Sequence, residues 1–199
     1  MRAIGYSGKT ENLRTSLRGA TASAHDLLDS SMRAASGWTS LDDYAQFLTL
    51  QYAARAPVEK WLADNAPTDS APPPQCPAIA RDLAVLDRPL PASSTPFELP
   101  DIAQSESHTL GAAWVLAGSS LGNLSILKEL RRAGHDDWPH AFLGDDAMLS
   151  YWQSLRRRIE RPADIAEVEA ASEAATAVFD HFLRFARGTA ENKNTPELA

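Results

Sequence analysis

Apolar residues recur at three- and four-residue steps along most of the chain, and no stretch alternates apolar and polar residues as a half-buried strand does. From residue 13 to about residue 37 this pattern predicts one amphipathic helix. A second helix is predicted over about residues 40–65, with Ser40 as its cap and Asp43 as the capping-box partner. Pro57 lies inside this second helix and is expected to bend it.

Nine of the thirteen prolines lie between residues 67 and 100, which predicts a loop that one short helix interrupts. The remaining helices are expected at about 78–87, 101–133, 145–160 and 163–187. Gly134 directly follows the longest of them, in the position where glycine commonly ends a helix. The pattern therefore predicts an all-α protein.

A single domain is expected over residues 13–187, with the proline-rich loop 66–100 inside it. Residues 1–65 alone would supply two helices with little to bury against, so they do not form a separate domain. The polar ends, residues 1–12 and 188–199, are expected to be flexible.

Composition and charge narrow the functional classes. The net charge is −7 and no basic stripe or tail is present, so nucleic acid is not expected as a partner. No apolar stretch is expected to span a membrane, and the N-terminus lacks the apolar core of a signal peptide, so a cytoplasmic location is expected. The single cysteine, Cys76, cannot form an internal disulfide and is interpreted as a loop thiol.

The first predicted helix carries one histidine, His25, at the edge of its apolar face. Arg18 and Thr21 lie seven and four residues earlier, on the same helical stripe. A neutral imidazole at the edge of an apolar groove is a good ligand for an iron macrocycle, and Arg18 could reach carboxylates on its rim. The alternative is that His25 is a partly buried structural histidine.

The segment GAAWVLAGSSLGN, residues 111–123, concentrates small side chains inside the longest predicted helix. Gly118 and Gly122 share one helix face, and glycine in a helix interior costs about 1 kcal/mol relative to alanine. A large planar group that must approach the helix backbone would explain this cost. Close packing of this helix against another would explain it equally well.

Two segments together resemble the haem oxygenases: ATASAHDLLD, residues 20–29, and GAAWVLAGSSLGN. The resemblance is nearest to the bacterial branch that supplies biliverdin to bacteriophytochromes. The segments APVEKWL, ARDLAVL and WQSLRRRI support it, and it extends over residues 13–187.

The resemblance implies a haem-oxygenase-like helical bundle that holds haem between two helices. His25 would be the axial ligand of the haem iron, and Gly118 and Gly122 would lie over the opposite face. Haem would be both cofactor and substrate. With O2, and with electrons from an external reductase or ferredoxin, it would be opened to biliverdin, CO and ferrous iron. A bacteriophytochrome is the implied recipient of biliverdin.

Ser119 and Ser120 stand beside the glycines and are candidates to anchor waters that deliver protons. This sequence departs from the family pattern at three positions. Asn123 stands where active members usually have a second glycine, and its side chain would narrow the pocket or bond the distal ligand. Ala117 stands where the phytochrome-linked branch often has glutamate.

The third departure concerns a haem propionate. Gln153 stands where relatives often have the arginine that holds it. Arg156, one turn later on roughly the same face, is the predicted substitute, and Arg157 is a second candidate.

Three other functions remain open. Asn123 and Gln153 are compatible with a haem-binding or carrier protein that has lost turnover. A non-haem di-iron oxidase would need converging carboxylates and histidines, for which Glu173, Asp180 and His181 form the best local group. A helical interaction module would use the small-residue run only for packing.

Overall fold

The computed structural model describes residues 11–67, 70–92, 95–99 and 105–194. Within these ranges the chain forms six helices and one pair of two-residue strands. The helices are α1 (Leu13–Ala35), α2 (Leu41–Asn65), α3 (Cys76–Val85), α4 (Glu106–Arg132), α5 (Asp146–Ile159) and α6 (Ile165–Asn194). The predicted all-α class is confirmed.

The strand pair joins the start of α1 to the start of α6. Strand β1 (Glu11–Asn12) pairs antiparallel with β2 (Pro162–Ala163), and the Leu13 N–H donates to the Arg161 carbonyl at 3.0 Å. Glu11 and Asn12, which were expected in a flexible end, are therefore held by backbone hydrogen bonds. The rest of that predicted end, residues 1–10, lies outside the described residues.

Helix ends follow the predicted capping chemistry. The Ser40 side chain accepts from the Asp43 N–H at 3.1 Å at the start of α2. Gly134 has a φ of +86° just beyond α4, and the following N–H, of His135, donates to the Leu130 carbonyl at 3.0 Å. This arrangement is a Schellman motif, and it supports the prediction that Gly134 closes the helix.

Some boundaries differ from those predicted. Residues 101–104 of the predicted long helix lie outside the described residues, and α4 is described from Glu106. Helix α6 continues to Asn194, so residues 188–194 are helical rather than part of a flexible tail. One glycine, Gly188, costs the helix about 1 kcal/mol and does not end it.

Cys76 is not a loop residue, as its proline-rich surroundings predict, but the first residue of α3. Its backbone N–H donates to Glu59 Oε2 at 3.2 Å. Burial, followed by the nearby charge of Glu59, raises the pKa of its thiol. A thiol that stays protonated is a poor nucleophile, so the structure gives Cys76 a packing role.

Two clusters of buried apolar residues form the core. One contains Trp61, Leu116 and Trp152, and the other contains Phe47 and Phe142. Helix α6 packs against both α1 and α4, and it approaches α4 closely at Gly111, where a Cβ would lie 1.9 Å from the Ala171 carbonyl oxygen. Only glycine fits this helix crossing.

Helix α4 is long and apolar enough to cross a membrane, judged by length and composition alone. The expectation that no stretch reaches this length is corrected. Contacts with α5 and α6 account for the buried apolar residues of α4 inside the bundle.

Candidate functional site

A cavity of about 830 Å³ separates α1 from α4. Such a volume lies in the upper part of the range, about 300–1,000 Å³, typical of small-molecule sites. Helix α2 contributes Phe47 to its lining, α5 contributes Trp152 and α6 contributes Phe182. These three residues belong to the two core clusters, so the cavity lies where the clusters meet.

His25 lines the cavity from the α1 side, with 60% of its side chain exposed. Its Nδ1 lies 3.5 Å from Asp29 Oδ2 and 3.8 Å from Asp26 Oδ1, and its ring meets Phe179 edge-on at 6.2 Å. A proton on Nδ1, facing these carboxylates, leaves the lone pair of Nε2 free. Metal-binding histidines commonly have this arrangement, in which a carboxylate orients the ring.

Gly118 and Gly122 line the cavity from the α4 side. A Cβ at Gly122 would meet no atom within 4 Å, and a Cβ at Gly118 would come within 3.6 Å of the Trp152 ring. The wall here is bare helix backbone beside open space. The small-residue run therefore has two parts: Gly111 allows helix packing, and Gly118 and Gly122 border the cavity.

The two serines beside these glycines differ. Ser119 lines the cavity, donates to the Leu116 carbonyl at 2.7 Å and accepts from Arg55 Nη2 at 2.9 Å. Ser120 is buried, donates to the Ala117 carbonyl at 2.6 Å and does not line the cavity. Of the two serines, only Ser119 is placed to hold a water in the cavity.

Arg55 is a cavity residue that the sequence analysis does not identify. It is only 1% exposed, and its Nε and Nη1 have no hydrogen-bond partner among the described residues. Its guanidinium lies over Phe142, 5.4 Å from the ring centre. Burial lowers the pKa of Arg55, while the charges of nearby acidic groups raise it. The available signal was its seven-residue spacing from Leu48 and Leu62, both fully buried on α2.

Asn123 lies one turn after Ser119, on the same face of α4. It is buried, lines the cavity and leaves its Nδ2 without a partner. Trp152 Nε1 is likewise buried and without a partner, and Trp152 also lines the cavity. The placement of Asn123 is compatible with either predicted effect, a narrower pocket or a bond to a distal ligand.

Not all of the predicted arginines lie at the cavity. Arg18 lines the cavity mouth, is exposed and forms no ion pair with the residues that the structure describes. Arg14, one turn earlier, also lines it and pairs with Glu160 at 3.2 Å. Arg156 and Arg157 are not brought to the cavity.

A small group of contacts joins α1, α4 and the connection that follows α1 beside the cavity. Trp38 Nε1 donates to Glu129 Oε2 at 2.9 Å, and Arg33 lies 3.7 Å from the other oxygen of the same carboxylate. The Arg33 guanidinium also covers the Trp38 ring at 4.6 Å. All three residues line the cavity.

The di-iron alternative has no site in the described part of the chain, where no three His, Cys, Asp or Glu residues are grouped to hold a metal. His181 is buried and its Nε2 donates to the Ala54 carbonyl at 3.1 Å. Burial first, and Arg184 second, lower the pKa of His181 to about 4. Both ring nitrogens are engaged, because Arg184 Nη2 lies 3.4 Å from Nδ1.

Glu173 and Asp180 do not join His181. Asp180 is exposed, whereas Glu173 Oε2 lies 4.0 Å from Nε2 of another histidine, His108. His108 is buried, and its Nδ1 accepts from the Ser105 N–H at 3.1 Å in a capping box.

The fold is similar to that of a solved structure, the NO- and CO-bound heme oxygenase from Neisseria meningitidis. The TM-score is 0.67 at 21% sequence identity, and the match covers 90% of this chain and 92% of the other. No protein-family model matches the sequence, and no curated protein matches it. The structural likeness shows a shared all-α fold.

Proposed function

We propose that this chain is a haem-degrading oxygenase, which uses O2 and external electrons to convert haem to biliverdin, CO and ferrous iron. The observation that carries the proposal is the cavity with an imidazole on one wall and bare helix backbone on the other. The shared fold with the Neisseria meningitidis heme oxygenase supports it.

The residues present fit a flat macrocycle. A Cβ at Gly122 would enter open space, so the absence of side chains at this wall is not required by neighbouring protein atoms. A planar ligand against α4 supplies the reason for the glycine. The lining combines apolar side chains with polar and charged ones, and its apolar part suits a ring with an apolar face.

His25 would bind the haem iron through Nε2. Asp29 Oδ2 lies 3.5 Å from the opposite nitrogen, Nδ1, and is placed to orient the ring. Arg18 and Arg14, at the mouth, are the proposed partners of the carboxylates of haem, because guanidinium groups bind carboxylates in two-point geometry. Arg156, the predicted propionate ligand, is not assigned that role, because it does not line the cavity.

Bound haem supplies the redox-active iron and is also the ring that the reaction opens. On the α4 side, the Ser119 hydroxyl and the Asn123 amide would hold waters, and those waters would deliver protons to the reacting face. Gly118 and Gly122 let the ring approach the backbone and limit the orientations it can take. The electron donor is proposed to be an external reductase or ferredoxin.

The finer parts of the proposal come from the sequence resemblance. They are the biliverdin product and its delivery to a bacteriophytochrome. A cytoplasmic location is also proposed, from the hydropathy of the sequence and not from the resemblance. The exposed Leu121 at the cavity edge leaves the site open to solvent on this side.

A second candidate is a haem-binding protein without turnover on the same scaffold. Asn123 favours this candidate, because its buried amide lines the cavity at the position where the haem oxygenases that this chain resembles usually carry glycine. An amide donor fixed at this wall would hold a distal ligand in place rather than let it react.

The test is an anaerobic titration with haem, followed by O2 and a reductant. The proposal expects a Soret band that decays to the spectrum of biliverdin, with CO released. Gly122→Leu is the matched variant, because it fills the wall and should abolish the Soret shift while the protein stays folded. A stable Soret band would support the second candidate instead. No haem-induced band at all would favour the interaction module.

A further inference from the structure

Arg55 is a buried cation without a buried anion beside it. Its side chain lines the cavity, and Nη2 donates to the neutral Ser119 hydroxyl. Nε and Nη1 have no acceptor in the described residues. Buried charges in proteins are normally paired, because an unpaired charge loses its hydration without compensation.

The nearest carboxylates are already engaged by other donors. Glu59 accepts from the backbone N–H groups of Gln75 and Cys76, at 2.8 and 3.2 Å. Asp145 caps α5 through the Ala147 N–H at 3.0 Å and accepts from Gln75 Nε2 at 3.2 Å. Neither carboxylate forms an ion pair with Arg55 in the described structure, so the guanidinium keeps free donor capacity.

A second unsatisfied donor belongs to the same wall. Ser119 and Asn123 are four residues apart on α4 and share a face, so the Asn123 amide lies one turn from the serine that Arg55 contacts. Its Nδ2 is buried, has no partner and belongs to a residue that lines the cavity. The unsatisfied buried groups of Arg55 and Asn123 are all donors, so they require an acceptor, and the positive charge of Arg55 favours a negatively charged one.

We propose that Arg55 and Asn123 form a subsite for a small monovalent anion on the α4 side of the cavity. Its ligand is a free inorganic anion or the negatively charged atom of a larger ligand that enters the cavity. Guanidinium and amide N–H groups bind such an atom through charge-assisted hydrogen bonds. The anion also neutralises the charge that Arg55 carries into the core.

The test uses azide and the haem-free protein, so it does not depend on the proposed function. Thermal unfolding is followed as azide is added at constant pH, with ionic strength held by gluconate, which is too bulky for the subsite. The wild-type protein should be stabilised saturably, as expected for a ligand that binds the native state. Arg55→Met should weaken the fitted azide affinity by roughly tenfold to a hundredfold.

Two further variants control for effects of azide that are not specific to the subsite. Asn123→Leu removes the amide donor at similar volume and should weaken azide binding severalfold. This variant tests the subsite even if Arg55→Met does not fold. Arg131→Met removes an exposed cation outside the cavity and should leave the affinity unchanged. The proposal is overturned if azide gives no saturable stabilisation, or if both cavity variants bind azide as the wild type does.

A second measurement locates the subsite relative to bound haem and rests on the proposed function. Arg55 contacts Ser119 on α4, opposite the wall that carries His25. In the ferric haem-loaded protein, Arg55→Met should therefore weaken azide binding, read from the Soret shift, by a similar factor. Neutral imidazole should bind both proteins alike. Equal azide affinities would contradict this placement even where the haem-free result stands.

Discussion

At the scale of single residues, His181 links α6 to the proline turn of α2. Pro57 has no backbone N–H, so it removes one hydrogen bond from α2 and crowds the preceding turn. His181 donates to the carbonyl of Ala54 in that turn, at 3.1 Å. A buried imidazole thus supplies a donor next to the point where α2 lacks one. Its other nitrogen, Nδ1, faces Arg184 Nη2 at 3.4 Å and accepts from it only when the ring is uncharged.

The buried state of His181 makes stability depend on pH. Its pKa is lowered from 6.5 to about 4, so the unfolded chain binds a proton more readily than the native protein between these values. The free energy of unfolding should fall as the pH drops from 6.5 to 4, by about 3 kcal/mol in total from this group. Urea unfolding at a series of pH values measures the loss.

His181→Gln is the matched variant, because glutamine keeps an N–H donor and cannot gain the charge. Its stability should depend less steeply on pH than that of the wild type over the same range. His135→Gln, at a half-buried histidine outside the cavity, should follow the wild type. Parallel curves for the wild type and His181→Gln would show that His181 binds protons equally in the native and unfolded states, which would contradict the prediction.

Helical spacing indicated which residues share a helix face, but the resemblance to the haem oxygenases was needed to select them as candidate site residues. His25, Gly118 and Gly122 lie on the walls, since three- and four-residue spacing fixes which residues share a helix face. Arg55 was missed because a lone arginine in a helix is ordinarily interpreted as exposed. Its burial depends on the packing of α2 against other helices, which one helix pattern does not contain.

At the scale of elements, α4 has two structural roles along its length. Near its start, Gly111 allows a contact with α6 that no side chain would permit. Two turns later, Gly118 and Gly122 leave α4 without side chains beside the cavity. From the sequence, the small-residue run could either border a planar ligand or pack against another helix. In the structure Gly111 packs against α6, whereas Gly118 and Gly122 border the cavity.

The two roles predict opposite effects of the same substitution. Gly111→Ala places a Cβ 1.9 Å from the Ala171 carbonyl oxygen and should lower the free energy of unfolding by about 3 kcal/mol. Gly122→Ala meets no atom within 4 Å and should raise it by up to about 1 kcal/mol, from helix propensity alone. Urea denaturation of the two haem-free variants measures both changes.

Equal effects at the two glycines would argue against this division of α4. If Gly122→Ala destabilised the protein as strongly as Gly111→Ala, the wall at residue 122 would be a packed helix contact rather than a cavity border. The haem affinity of Gly122→Ala is an independent test of this role, because the added methyl group lies on the proposed contact surface.

Local chemistry predicted how most elements begin and end, but not how they are joined. Ser40 and Gly134 act as expected because capping depends on neighbours within a few residues. The pairing of Glu11–Asn12 with Pro162–Ala163 was not predicted, since it joins segments far apart in the sequence and is too short to show an alternating pattern.

At the scale of the whole molecule, the cavity results from a bundle with two core clusters rather than one. Helix α6 holds α1 and α4 apart, and the space between them is bordered by members of both clusters. Although the net charge is −7, Arg14 and Arg18 lie together at one side of the mouth. This local charge suits a ligand with carboxylates at its rim and an apolar body.

The central claim is that haem lies between His25 and the glycine wall of α4. The most direct measurement is the iron–imidazole stretching band in the resonance Raman spectrum of the ferrous haem-loaded protein. The wild type and His135→Ala should show this band, and His25→Ala should lack it until free imidazole is added. Because His25 is largely exposed, its removal should not unfold the protein. An unchanged band in His25→Ala would show that another residue binds the iron and would contradict the account.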